Sequence, residues 1–272
     1  MRKLILMLSA ALVLAVASPS GAIVNGELDG DDHPNVGALI ADFRGDGNNL
    51  IFCSGSLIAP DVFLTASHCT AFLESQGLTE AFVSFDSELE EPVTSPPATL
   101  HKGTLHTHPD FSFSGPGGMS DPHDIAVVVL DDPVVGITPA SLPTLNQLGE
   151  AAAKNGLKRQ KFTAVGYGVH EAVLGGGPPS FPFDGARWQA VSAFRSIENA
   201  WLHLSQNRST GDGGTCFGDS GGPNFFGAGA GETDVIAAIT ITGDSMCRAT
   251  NVTYRLDTAS ARDFLGDFVA LP

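Results

Sequence analysis

Residues 216–223 read Cys216-Phe217-Gly218-Asp219-Ser220-Gly221-Gly222-Pro223. Glycines on both sides of one serine make a turn small enough to leave the hydroxyl uncovered and to let a carbonyl approach the backbone closely. The peptide N–H groups of such a turn can converge where an oxyanion would form. A lone Gly-x-Ser-x-Gly is equally compatible with a flexible glycine loop, so its context decides. Three other stretches supply that context: Ile23-Val24-Asn25-Gly26, Thr65-Ala66-Ser67-His68-Cys69 and Asp124-Ile125-Ala126-Val127. With Ser220 they provide, in chain order, a candidate free amine, a base, an orienting acid and a nucleophile.

On these motifs the chain resembles the chymotrypsin/trypsin-like serine proteases, over nearly all of residues 23–272. The resemblance implies an all-β fold, two antiparallel six-stranded β-barrels with a C-terminal helix. The halves would be residues 23–140 and 141–272. It implies a secreted serine endopeptidase working through a Ser-His-Asp triad and an acyl-enzyme intermediate, with His68, Asp124 and Ser220 as the catalytic set. The N–H groups of Gly218 and Ser220 would form the oxyanion hole. Asp219 would pair with the new α-amino group of Ile23. Cys53 would bond Cys69, and Cys216 would bond Cys247; closing the first loop is worth about 3 kcal/mol in a chain-entropy account.

The resemblance also places a substrate pocket at Gly214, Thr215, Ile241, Thr242 and Gly243, with Val252 nearby. Trypsin-like enzymes hold an aspartate at the pocket floor, and Gly214 supplies no charge; Asp212 is two residues away. The residue on the acyl side of the cleaved bond is therefore expected to be uncharged, above all apolar, because an unpaired cation there would lose water for nothing. Thr240 or Thr242 stands where a hydroxyl would support Asp124. The expected partner is a protein or peptide substrate, met by a monomer that needs no cofactor and no metal.

Composition agrees with this class and excludes others. Arg2 and Lys3, then the apolar run 4–16, then small residues at Ala15, Ala17, Ser20 and Ala22, read as a secretory signal peptide over residues 1–22. Cleavage after Ala22 would expose Ile23 directly, whereas cleavage after Ala17 would leave 18–22 as a short propeptide. No later apolar run is long enough to span a bilayer, so the mature form has no membrane partner. The formal charge of −16 becomes −18 when Arg2 and Lys3 are removed. So acidic a surface argues against nucleic acid. A charged fraction of 16% with 32 Gly and 17 Pro suits a loop-rich β protein. Four cysteines in a secreted chain suggest two disulfides, with three possible pairings before the resemblance is applied.

In chain order, residues 37–42, 50–58 and 61–66 read as short strands divided by turns. Residues 74–91 are acidic and read as a solvated face, although some relatives bind calcium in a loop after the histidine. His101, His106, His108 and His123 are close in sequence with nothing to fix a ligand geometry, so structural roles are expected. Asp124 opens the apolar run 125–130, a buried strand, and an acid there must be hydrogen-bonded or paired. Residues 131–145 read as a linker, and further strands are expected at 161–167, 187–194, 200–204 and 235–242. Phe264, Leu265, Phe268 and Val269 recur at helical spacing behind Thr258. Asn207-Arg208-Ser209 and Asn251-Val252-Thr253 match the glycosylation pattern.

An α/β-hydrolase elbow also fits residues 218–222, but such enzymes place their histidine after the serine. The last histidine is His203, which rejects that class. A non-catalytic binding module of the same fold is disfavoured because His68, Asp124, Gly218 and Ser220 are all present.

Overall fold

The computed structural model describes residues 23–112 and 120–272. The signal peptide expected over residues 1–22, with its alternative cleavage sites, lies outside them. The first barrel is built from β2 (Val36–Ala41), β3 (Leu50–Ala59), β4 (Val62–Thr65), β5 (Glu80–Ser84), β6 (His101–Thr107) and β7 (Ala126–Leu130). These strands close in the antiparallel order β2-β3-β4-β7-β6-β5. The second barrel uses β8 (Lys161–Gly166), β9 (Trp188–Ile197), β10 (Trp201–Ser205), β11 (Pro223–Phe226), β12 (Ile236–Gly243) and β13 (Thr250–Arg255). Its ring runs β8-β9-β10-β13-β12-β11 and returns to β8, with the two-residue strand β1 (Glu27–Leu28) added against β9. The all-β fold of two six-stranded barrels is as expected, and closure leaves no long strand edge to bind a stray chain.

Burial explains why the strands were readable. In β5 the run Glu80-Ala81-Phe82-Val83 alternates outward and inward, as a half-buried strand should. The stretch 74–91 is therefore not wholly a solvated face: Ala81, Val83, Phe85 and Leu89 are core residues. Strand β2 does not alternate, and all six of its residues are buried. Val36 and Leu39 face the main core, while Ala38 and Ile40 pack with Leu89, Val93 and Tyr167. Two helices appear that residue pattern did not announce, α1 (Ser67–Ser75) and α2 (Gln147–Ala153). The helix behind Thr258 forms as α3 (Ala259–Leu265), and the threonine side chain caps it by accepting from Ala261 N–H at 3.1 Å.

The chain ends cross over. The N-terminal segment lies on the second barrel: Val24 exchanges hydrogen bonds with Gly214 at 2.7 and 3.0 Å, and β1 pairs β9. Helix α3 lies on the first barrel, where Phe264 meets His108 and the following Phe268 meets His106, with ring centroids 4.9 and 5.1 Å apart. His123 Nδ1 is 2.8 Å from Ser260 Oγ, and His101 packs against Phe85. The clustered histidines thus serve packing, as expected. Between the barrels the chain bonds back to the first through Val134 and Ala140, then to the second through Ser141.

A buried ionic cluster fastens the N-terminal segment. Arg187 is 1% exposed and donates from Nε to Asp29 Oδ2 at 2.7 Å. Its Nη1 donates to the Val36 and Phe85 carbonyls and to Tyr167 Oη, each at 3.0–3.1 Å. His33 Nδ1 bonds Asp29, and its Nε2 stands 2.5 Å from Glu232 Oε1. Among the described residues no helix is long and apolar enough to cross a membrane.

Candidate active site

Strand β4 ends at Thr65 and the chain turns at once into α1, which starts with Ser67 and His68. No side chain caps this helix. Tertiary bonds fix its first turn instead. Ser67 Oγ donates to the Ile125 carbonyl at 2.6 Å, Cys69 is bonded to Cys53, and Thr70 meets Thr107. His68 is held from both sides by neighbours in sequence.

Asp124 is fully buried and both of its oxygens face His68. Oδ1 accepts the His68 peptide N–H at 2.8 Å, and Oδ2 lies 2.9 Å from Nδ1. An ionised carboxylate only accepts, so Nδ1 carries the proton and Nε2 is left as the basic lone pair. Neither Thr240 nor Thr242 supports the aspartate. Thr240 Oγ1 takes a hydrogen bond from Asn224 Nδ2 at 3.0 Å, and Thr242 is exposed.

The serine turn comes from the second barrel but is seated on the first. Ser54 N–H donates to the Ser220 carbonyl at 2.8 Å, and Ser54 Oγ donates to the Gly218 carbonyl at 2.9 Å. Gly218 and Gly221 have φ of 97° and 80°, where a side chain is strained. A Cβ on Gly221 would also stand 2.3 Å from Thr65 Oγ1 and 2.8 Å from Ala66 N. The turn therefore presses on the two residues that lead into Ser67-His68. Ser220 is half-buried, and its hydroxyl has no hydrogen-bond partner among the described residues. Nucleophile–base contacts commonly tighten only when substrate binds.

Two N–H groups are left unspent. The Phe217 carbonyl accepts from Val169 N–H and the Asp219 carbonyl from Gly222 N–H. A trans peptide points its N–H opposite to its carbonyl, so the N–H groups of Gly218 and Ser220 turn away from those partners. Neither meets an acceptor among the described residues. Asp219 is fully buried, accepting from Gly168 N–H at 2.8 Å and Cys216 N–H at 2.7 Å. Burial pushes its carboxyl up to about 7, against the pull of those two bonds. Ile23 is also fully buried, packed with Ala186, Trp188 and Ala190. In the full chain its nitrogen belongs to a peptide bond and carries no charge.

Gly214 lies against the Gln206 side chain, whose Nε2 donates to Asp244 Oδ1 at 3.5 Å; Asp244 also accepts from the N–H groups of Arg248, Ala249 and Thr250. Gly214 is buried, and a Cβ there would fall 2.3 Å from Gln206 Oε1. Asn251 stands opposite Gly243 and donates to Asn224 Oδ1 at 2.9 Å. The oxygens Gln206 Oε1 and Asn251 Oδ1 are both buried without a partner. Thr215 is buried, Gly243 is exposed, and Ile241 packs into the main core. Strand register shifts at Ile241; the extra residue of such a bulge blurs any counting of positions across it. Asp212 is not part of this lining: its carboxylate is taken by Lys161 Nζ at 2.5 Å and Thr210 Oγ1 at 2.8 Å. Burial would raise that carboxyl, but these bonds hold it below its usual range.

Sequence reasoning missed Gln206 and Asn251. Their only sequence signal is a glycosylation pattern at Asn251, and that side chain is fully buried. Asn207 is exposed and caps a short turn through Ser209 N–H. Cys216 bonds Cys247, so all four cysteines are paired as expected. Among the described residues the potential metal-ligand atoms that converge are those of Cys53, Cys69 and His68. Both sulfurs belong to the disulfide and offer no thiolate.

The family model described as Trypsin matches residues 33–263. Brachyurin from Leptuca pugilator is 28% identical over 229 residues, covering 82% of this chain and 90% of that protein. Lectizyme from Glossina austeni is 28% identical over 232 residues, covering 79% of this chain and 76% of that protein.

Proposed function

The chain belongs to the trypsin family and is a serine-type endopeptidase, a hydrolase, and on that premise we propose that Ser220, His68 and Asp124 carry its reaction. His68 Nε2 takes the Ser220 hydroxyl proton as Oγ bonds to the substrate carbonyl carbon. The carbonyl oxygen becomes an oxyanion and accepts from the N–H groups of Gly218 and Ser220, each worth about 3 kcal/mol in measured cases. His68 then returns the proton to the departing amine. A water deprotonated by the same nitrogen hydrolyses the acyl-serine ester. Asp124 keeps the imidazole in one tautomer and stabilises the imidazolium.

The observation that carries this reading is the buried Asp124 holding both nitrogens of His68's inner edge while two N–H groups beside Ser220 stay free. The acyl-side residue is uncharged, since Gly214 supplies no carboxylate, Asp212 is engaged by Lys161, and Asp244 is engaged by Gln206 and the N–H groups of residues 248–250. The protein is secreted after removal of residues 1–22, which frees the Ile23 amine. That ammonium pairs with Asp219. Support comes from the burial of both residues, the tie between Val24 and Gly214, and a carboxyl that has two N–H donors and no cation.

Labelling with an organophosphonate serine probe tests the triad: label is expected on Ser220 and lost in His68→Ala. Unlabelled wild-type protein, or labelling that survives His68→Ala, overturns it. Cut sites in a mixed peptide library test the pocket, which fails if cuts after Arg or Lys dominate. N-terminal sequencing tests activation, which fails if the active species begins at Ser18.

A further inference from the structure

A cavity of about 1100 Å³ lies where residues 86–99 of the first half meet residues 182–188 of the second. Asp86, Glu88, Glu90, Glu91 and Asp184 line it, over an apolar base that includes Leu28, Leu89 and Trp188. No lysine or arginine among the described residues pairs with any of these five carboxylates. Glu88 and Glu90 are exposed, and among the described residues their carboxylates meet no other group.

The cavity wall also holds a histidine bonded to one of these carboxylates. His170 lines this cavity and is 7% exposed. Its Nε2 lies 3.1 Å from Asp184 Oδ2, which also accepts from Trp188 Nε1 at 3.2 Å. A carboxylate accepts, so Nε2 holds the proton and Nδ1 is an acceptor. That Nδ1 is buried with no partner.

A metal ion does not fit. Among the described residues no three of these groups bring ligand atoms within 4.8 Å of one another, far too dispersed for a coordination shell. Lysine and arginine side chains fit better, because their long apolar stems can lie on the base while their charged heads reach the rim. Glu91 also borders a smaller hollow of about 330 Å³ whose lining includes Phe217 and Gly218. Glu91 thus borders both hollows.

We propose that this cavity is an exosite for a lysine- or arginine-rich segment of the substrate polypeptide, remote from the bond that is cut. It rests on the endopeptidase reading above, and the test separates the two. Two internally quenched peptides share one cleavage sequence; one carries a Lys/Arg-rich extension and the other a Gly/Ser extension of equal length. At low salt the basic extension is expected to lower KM about five- to tenfold with kcat unchanged, and high salt is expected to erase the gain. The double variant Glu88→Gln/Glu90→Gln should cleave the neutral peptide normally and show no preference. Equal KM for both peptides in the wild type, or a preference that persists in the double variant, overturns the exosite.

Failure to cleave the neutral peptide at all would instead count against the protease reading. The exosite is then judged by binding alone, through the change in tryptophan fluorescence when a Lys/Arg-rich peptide is added to Ser220→Ala protein. A saturable change that weakens in the double variant supports the proposal. No change, or a change produced by calcium and not by the peptide, overturns it.

Discussion

Two histidines in this chain present Nδ1 to a buried aspartate: His68 to Asp124 and His33 to Asp29. They differ at the opposite nitrogen. His68 Nε2 faces the cleft with its ring 27% exposed, whereas His33 Nε2 is closed off by Glu232 and its ring stacks on Phe225. Burial alone would lower the His33 pKa, but bonds to Asp29 and Glu232 and their charges raise it to about 9. His33 thus favours its charged form near neutral pH, with both ring nitrogens facing carboxylates. An aspartate beside a histidine does not make a catalytic base; an accessible lone pair on the far nitrogen does.

The comparison breaks first at activity. Ser220→Ala and His68→Ala are each expected to cut kcat by on the order of a million-fold, with the double variant scarcely worse. Steady-state kinetics on one peptide checks this, and independent multiplicative losses would dissolve the unit. Asp124→Asn is expected next, at about ten-thousand-fold in kcat with the fold intact, because the amide favours the wrong tautomer.

The other pair should do the reverse. Asp29→Asn strands Arg187 and His33 and is expected to cost about 3–5 kcal/mol of stability. A denaturant titration measures it, while kcat well below the unfolding midpoint stays near wild type. A loss of kcat without loss of stability would erase the distinction between the two pairs.

The smallest effect is in pH. Because the folded pKa of His33 is raised above about 6.5, its stabilisation is full below that value and fades as pH climbs through about 9. The total is on the order of 3 kcal/mol at most. His33→Gln should flatten this slope in unfolding experiments across pH 6.5–9. An alkaline decline of activity that persists in that variant is what the proposed Ile23 ammonium predicts. If the proposed pairing with Asp219 forms, that amine is held above its free pKa of about 8 and its charge is lost as pH rises through the raised value.

Much of the candidate site was legible because each group sits in a short run with its own local signature. Ser220 is bracketed by glycines, His68 sits beside a cysteine, and Asp124 stands at the mouth of an apolar strand. What stayed hidden depends on contacts far apart in sequence. His33 and Glu232 are 199 positions apart and Asp29 and Arg187 are 158 apart, so no window of sequence contains either pair. Gln206 reaches Gly214, and Asn251 reaches Gly243, only through the fold of distant strands, and the register between β12 and β13 is disturbed at Ile241. Helix α1 carries no capping signal because a disulfide and the bonds of Ser67 form its first turn instead.

The crossing of the chain ends has one more consequence. With the N-terminal segment fastened to the second barrel and α3 laid over the first, each half is buttoned shut by the far end of the other. Neither can loosen alone without dragging a tail off its neighbour, so the least costly large opening is the complete one. Proteolysis acts on the open fraction of a population. For an enzyme that digests polypeptide, having no half that opens by itself is a defence against its own kind.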